Sequence, residues 1–171
     1  MIVMTKNQEQ DPINPITDEG KSAFDFHCHS TCSDGVLSPG DVVERAASKG
    51  IRCLALTDHD TIQGLKEARL KAGELGVRLI NGIELSCGWG GQSVHIVGLN
   101  FDSDSKVMNE ATAYQLDARH KRSEVIAQRL FKKTGCETLE AATTFAGGHV
   151  PGRPHFAQVL IDTGVVKDFN E

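Results

Sequence analysis

The stretch FDFHCHSTCSDG, residues 24–35, decides how this chain is read. Phe24, Phe26 and Cys28 fall on one phase of a two-residue period, and Asp25, His27 and His29 fall on the other. That alternation predicts a strand over about 23–28, with successive side chains on opposite faces. Both imidazoles then project the same way, about 7 Å apart at the backbone, and flexible side chains can close that gap around one ion. Asp34 follows in the pair Asp34-Gly35, which on its own is an ordinary turn.

The elements downstream alternate in kind. In SPGDVVERAASKG (38–50) Ser38 caps a helix, Pro39 suits its first turn and Gly50 its stop, with Val42, Val43, Ala46 and Ala47 as the inner stripe. IRCLALTDHD (51–60) is a short apolar run ending in polar residues, a buried strand with its functional end at the C-terminus. TIQGLKEARLKAGELG (61–76) predicts an amphipathic helix with Leu65, Ala68, Ala72 and Leu75 on one face. VRLINGIELSC (77–87) is a third strand, GWGGQS (88–93) a turn, and VHIVGLN (94–100) a fourth strand. A charged helical pattern runs from about 105 to 133 and another near 137 to 145. GRPHFAQVLIDTG (152–164) opens a further helix through Arg153-Pro154.

Strands and helices in this order predict parallel α/β architecture, in which chemistry collects at the C-terminal ends of strands. The polar clusters sit there: His27 and His29, then Asp58 and His59, then Glu84. His95 lies near the start of its own strand, as an antiparallel return would require for it to face the same rim.

Composition narrows the class. The 171 residues suffice for one domain with a real core. A net charge of −5 argues against a surface built for duplex DNA, though not against a local phosphate site. No apolar run approaches the roughly 20 residues of a membrane span. Residues 1–22 are polar and proline-bearing, and are expected to form a disordered tail without a secretory signal. Five cysteines, an odd number, suggest reduced thiols and a cytoplasmic location. CHSTC can be read as a zinc cluster, but no second CxxC or HxxxH accompanies it, and Cys28 lies on the phase facing away from the histidines.

His27, His29, Asp34, His59, Glu84 and His95 are nitrogen and oxygen donors suited to zinc, manganese or iron. Each has a plain alternative: strand histidines are often core residues, and Asp58 and Asp60 fit helix capping. Glu84, a carboxylate inside an apolar strand, needs a partner. Jointly the plain reading weakens, because the histidines would have to collect at strand ends by accident.

The motifs DFHCHSTCSDGVLSP, ALTDHDT, NGIELS, VHIVGLN and GRPHFA, in this order, resemble the polymerase and histidinol phosphatase (PHP) family. The likeness is strongest to its branch acting on nucleoside 3′,5′-bisphosphates and on RNA 5′ ends. It implies an α/β fold, a distorted seven-stranded β/α barrel with two or three divalent ions in its mouth, manganese first and zinc or iron as alternatives. Carried over position by position, it implies His27 and His29 on one ion, Asp34 and His59 on a second, Glu84 as a bridge and His95 on a third. GRPHFA then resembles a substrate-phosphate clamp made by Arg153 and His155. Arg119 and Arg122, on the charged helix, are candidates for a second phosphate, with a solvated helix face as the plain alternative.

The resemblance implies a metal-dependent phosphoesterase in which a metal-bridging hydroxide attacks phosphorus, with Asp34, His59 and Glu84 central to catalysis. The expected partner is a nucleotide or short RNA; duplex DNA and membrane are not expected. A general or histidinol-phosphate phosphatase, or a non-catalytic metal-binding module, are the competing readings. The family's later AHP-like histidine and GSD-x-H segment do not occur here, so the chain is expected to be C-terminally truncated, each ion short of one ligand, and inactive alone. The expected organisation is a tail (1–22), the front half of the barrel (23–104) and a helical insertion that binds substrate (105–171). An open apolar sheet edge is expected where strands are missing. Trp89 is expected to pack over the site, with stacking of a base as the alternative, His120 and His149 to lie at the surface, and Asp25 and Asp60 to orient imidazoles or to cap backbone.

Overall fold

A computed structural model of the chain describes residues 23–168; the expected tail lies outside the described residues. Nine elements follow in order: β1 (Phe24–Cys28), α1 (Pro39–Ser48), β2 (Cys53–Leu56), α2 (Leu65–Leu75), β3 (Arg78–Trp89), β4 (Gln92–Leu99), α3 (Lys106–Thr134), α4 (Leu139–Phe145) and α5 (Arg153–Asp162). The four strands form one sheet in the order β1-β2-β3-β4. β1, β2 and β3 run parallel, with Phe24 opposite Cys53 and Cys53 opposite Arg78. β3 and β4 are antiparallel, with Ser86 opposite His95.

The parallel part follows from the connections. Ser38 caps α1 by accepting a hydrogen bond from the Asp41 amide, and Pro39 opens the first turn. α1 and α2 then lie on one face of the sheet, where Val42, Val43, Leu54, Leu56, Leu65, Ala68, Ala72 and Val77 form the main core. Every residue of β2 is buried, as its uninterrupted apolar run requires. Complete burial of a side chain such as Leu54 or Val43 contributes about 1.5–3 kcal/mol each. A second apolar cluster, Ala142, Phe156 and Val159 with Ile126, Ala127 and Leu130, joins α3, α4 and α5.

Four expectations need correction. α2 begins only at Leu65, because residues 61–64 form a turn, and Leu75 is exposed rather than on the inner stripe. The six-residue turn GWGGQS shrinks to Gly90-Gly91, since pairing continues to Trp89 opposite Gln92. Both glycines adopt positive φ, 57° and 78°, which a two-residue hairpin turn demands. That tight turn projects Trp89 outward at 81% exposure, so it does not pack over the site. β4 carries Val94, Ile96, Val97 and Leu99 exposed, an apolar sheet edge of the kind expected from the sequence.

Candidate metal centre

The rim is built by backbone pairing just beyond the regular strands. After β2 the chain bridges once more to β3: the Asp60 amide donates to the Glu84 carbonyl at 3.0 Å, and the Glu84 amide donates to the Asp58 carbonyl at 3.2 Å. His59 and Glu84 are therefore adjacent across the sheet. β1 supplies His27, the residue just past its end is His29, and the antiparallel return of β4 supplies His95.

Glu84, 6% exposed, is the hub. Its Oε2 lies 2.9 Å from His29 Nε2, 3.0 Å from His27 Nε2 and 3.5 Å from His59 Nδ1. Its Oε1 lies 3.1 Å from His95 Nδ1. Asp34 closes the other side, with Oδ1 at 3.2 Å from His29 Nδ1 and Oδ2 at 3.7 Å from His59 Nε2. The six donors form three interlocking groups, His27–His29–Glu84, His29–Asp34–His59 and His59–Glu84–His95, each with donor atoms within 4.8 Å of one another. All six side chains singled out by sequence thus converge, and none of the groups includes a cysteine.

Electrostatics follow from these contacts. The hydrogen bond from His29 pulls the Asp34 carboxyl down to about 2, helped by His59, His29 and Arg119 and opposed by burial. The same bond raises His29. Burial pushes His59 down. Burial also works to raise Glu84, but the His27 hydrogen bond and the charges of His59, His27 and His29 outweigh it, leaving the carboxyl below its ordinary value.

This donor set fits divalent ions. It is all imidazole nitrogen and carboxylate oxygen. Moreover, His59 Nδ1 is buried without a hydrogen-bond partner, an orphan that a cation would satisfy.

Residues 25–151 match the family model of the PHP domain. The chain belongs to the PHP domain family. A 5′-3′ exoribonuclease of Haemophilus influenzae is 44% identical over 145 residues, covering 85% of this chain and 53% of that protein. A 3′,5′-nucleoside bisphosphate phosphatase of Chromobacterium violaceum is 37% identical over 146 residues, covering 85% of this chain and 51% of that protein. Among solved structures, an amidohydrolase from Chromobacterium violaceum with bound sulfate and no metal superposes with a TM-score of 0.81 at 35% identity, covering 87% of this chain and 53% of that one. A Bifidobacterium adolescentis protein proposed to be a metal-dependent phosphoesterase gives 0.76 at 30% identity, covering 84% and 51%. The chain spans about half the length of the curated relatives it matches, and its α/β sheet corresponds to part of the PHP barrel.

Around the PHP rim, buried carboxylates hold the loops. Asp58, 2% exposed, accepts from the Ser30 amide, the Ser30 hydroxyl and the Ser33 hydroxyl at 2.6–2.7 Å. Asp60 accepts from the Ser86 amide at 2.7 Å and the Ser86 hydroxyl at 2.8 Å. Neither caps α2, whose N-cap is Gly64, and neither bonds an imidazole. Asp25 accepts from the His27 amide at 3.2 Å. Ser30, Ser33 and Ser86 escaped sequence reasoning; the hydroxyls crowded into HSTCSD were the available signal.

The expected substrate residues lie within electrostatic reach of one another: the charge of Arg119 acts on Asp34, His155 and Arg122, and that of Arg153 on Arg122. Arg119 is buried, with Nη1 3.0 Å from Asp60 Oδ2, so its helix face is not solvated there. Arg122 is half-buried and lines, with Arg119, Ser86 and Gln115, a cavity of about 400 Å³. Arg153 is exposed at the start of α5. His155 Nδ1 accepts the Gly152 amide at 3.0 Å, which leaves Nε2 as the donor of the neutral ring; burial, with Arg119, holds His155 below its ordinary value. A cavity of about 280 Å³ beside His59 is lined by Ile62, Asn109, Leu116, Arg119 and His149. His149 is therefore partly enclosed, whereas His120 is exposed as expected.

Proposed function

We propose that the complete gene product is a metal-dependent phosphoesterase of nucleotides, acting on nucleoside 3′,5′-bisphosphates or RNA 5′ ends. The observation that carries this reading is the convergence of six imidazole and carboxylate side chains into three groups sharing Glu84, His29 and His59. The names of the two curated relatives support the substrate class, and the sulfate bound to the Chromobacterium violaceum structure supports affinity for a tetrahedral oxyanion.

His27 and His29 would hold one ion, Asp34 and His59 a second, and His95 a third, with Glu84 within reach of the first and third groups. When bound, such ions supply Lewis-acid charge and an activated water. Manganese is the proposed metal, with zinc or iron as alternatives that the same imidazole and carboxylate donors accept.

The chain's own groups do the rest. The His29 hydrogen bond holds the Asp34 carboxyl below the ordinary carboxylate range, which favours the charged form that a cation needs. Arg153, exposed and planar, offers two parallel donors to phosphate oxygens. His155 Nε2, oriented by the Nδ1 hydrogen bond to Gly152, offers a third. α5 carries Arg153 and His155 and, with α3 and α4, forms the proposed substrate-binding segment.

The test is to assay the complete gene product on adenosine 3′,5′-bisphosphate and on a short 5′-phosphorylated RNA, with Mn²⁺ and with chelator. Release of phosphate or mononucleotide only with metal is expected. Release that persists in chelator, or no release from either substrate, would contradict the proposal.

A further inference from the structure

We propose that Arg119 is a positioning residue for the metal centre, fixing from α3 the two backbone stretches that present His59 and Glu84. The inference rests on the metal-site reading above. Arg119 lies far along the chain from the rim, yet it is only 8% exposed. Its Nη1 donates to Asp60 Oδ2 at 3.0 Å and to the His59 carbonyl at 3.4 Å.

Asp60 passes this anchorage on. Its carboxylate, 2% exposed with its residue, also accepts the amide and hydroxyl of Ser86, two positions beyond Glu84. Its own amide donates to the Glu84 carbonyl at 3.0 Å. It does so from a left-handed backbone, φ 59°, a region that non-glycine residues populate sparsely. One turn earlier on α3, Gln115 Nε2 donates to the Ser86 carbonyl at 3.1 Å. The helix therefore grips both flanks of the His59–Glu84 bridge.

The pairing is not ornamental. An exposed ion pair adds little, but here both partners are buried, so loss of Arg119 leaves the Asp60 carboxylate without its counter-charge. The Asp60 conformation then relaxes, and with it the relative placement of two donors shared among the metal groups. Residues that orient ligands from behind typically change metal affinity by about 10–100-fold when removed.

The experiment titrates the complete gene product with Co²⁺, reading affinity and the visible d–d spectrum, for the parent, Arg119→Met and Arg119→Lys. Arg119→Met is expected to weaken Co²⁺ binding by about 10–100-fold and to alter the spectrum. Arg119→Lys keeps the charge beside Asp60 and is expected to recover part of both. Parental affinity and spectrum in Arg119→Met, even with lowered thermal stability, would overturn the proposal, as would a lysine variant no better than methionine. If Arg119→Met fails to fold, Arg119→Lys decides alone: weaker binding with a shifted spectrum supports the proposal, and parental values overturn it. A parent that binds no Co²⁺ overturns the metal-site reading itself, and this inference falls with it.

Discussion

Asp58 holds Ser30 at both ends, its Oδ1 accepting the Ser30 amide at 2.7 Å and its Oδ2 the Ser30 hydroxyl at 2.6 Å. With Ser33 as a third donor to the same carboxylate, this contact sets the loop that turns from His29 to Asp34. Asp58→Ala strands three buried donors and is expected to cost about 2–4 kcal/mol of stability. Asp58→Asn, which keeps one acceptor oxygen, should cost less. Urea denaturation of the variants checks both the size and the order.

Gly35 lies directly on the backbone of the first histidine pair. A Cβ there would sit 2.4 Å from the His29 carbonyl oxygen and 2.9 Å from Ser30 Cα, and neither atom can move alone. Gly35→Ala is expected to destabilise the protein by about 1–3 kcal/mol and to lower metal content by displacing Asp34. Thermal unfolding and elemental analysis measure the two effects; an unchanged metal content would separate Gly35 from the site.

Glu84→Gln replaces the shared, charged carboxylate by a neutral amide with a single acceptor oxygen, which cannot serve the three donor groups as the carboxylate does. Metal content should fall by at least half. Turnover should fall by more than the roughly 10–100-fold typical of groups outside the ligand set. Normal activity in a metal-depleted variant would contradict the role given to Glu84.

Arg153 is exposed, so Arg153→Ala should leave stability within about 0.5 kcal/mol of the parent. If its guanidinium holds substrate phosphate, loss of a charge-assisted pair of about 1.5–3 kcal/mol lowers kcat/KM by roughly ten- to a hundredfold. Metal content should not change. Steady-state kinetics on adenosine 3′,5′-bisphosphate provide the comparison.

Much of this arrangement was legible in the sequence because it depends on local periodicity. Two-residue alternation placed His27 and His29 on one face, the apolar run before Thr57 marked a buried strand, and the return of β4 put His95 on the shared rim. Glu84 was legible as a charge that an apolar strand cannot hold alone. The supporting network was not, because it joins segments that no window contains. Asp58 reaches Ser30 across 28 residues and Arg119 reaches Asp60 across 59. Periodicity marks Arg119 merely as one charge on a charged helix; its burial depends on how α3 docks. Trp89 turned outward for a similar reason, since the two-glycine turn, not its hydrophobicity, set its direction.

The central claim is that the six side chains hold divalent cations side by side. An anomalous difference map from crystals of the complete gene product soaked in Mn²⁺ tests it most directly. The account predicts peaks among His27, His29, Asp34, His59, Glu84 and His95, at least one of them shared through Glu84. Ordered crystals showing no anomalous density within bonding distance of these donors, at saturating Mn²⁺, would contradict it.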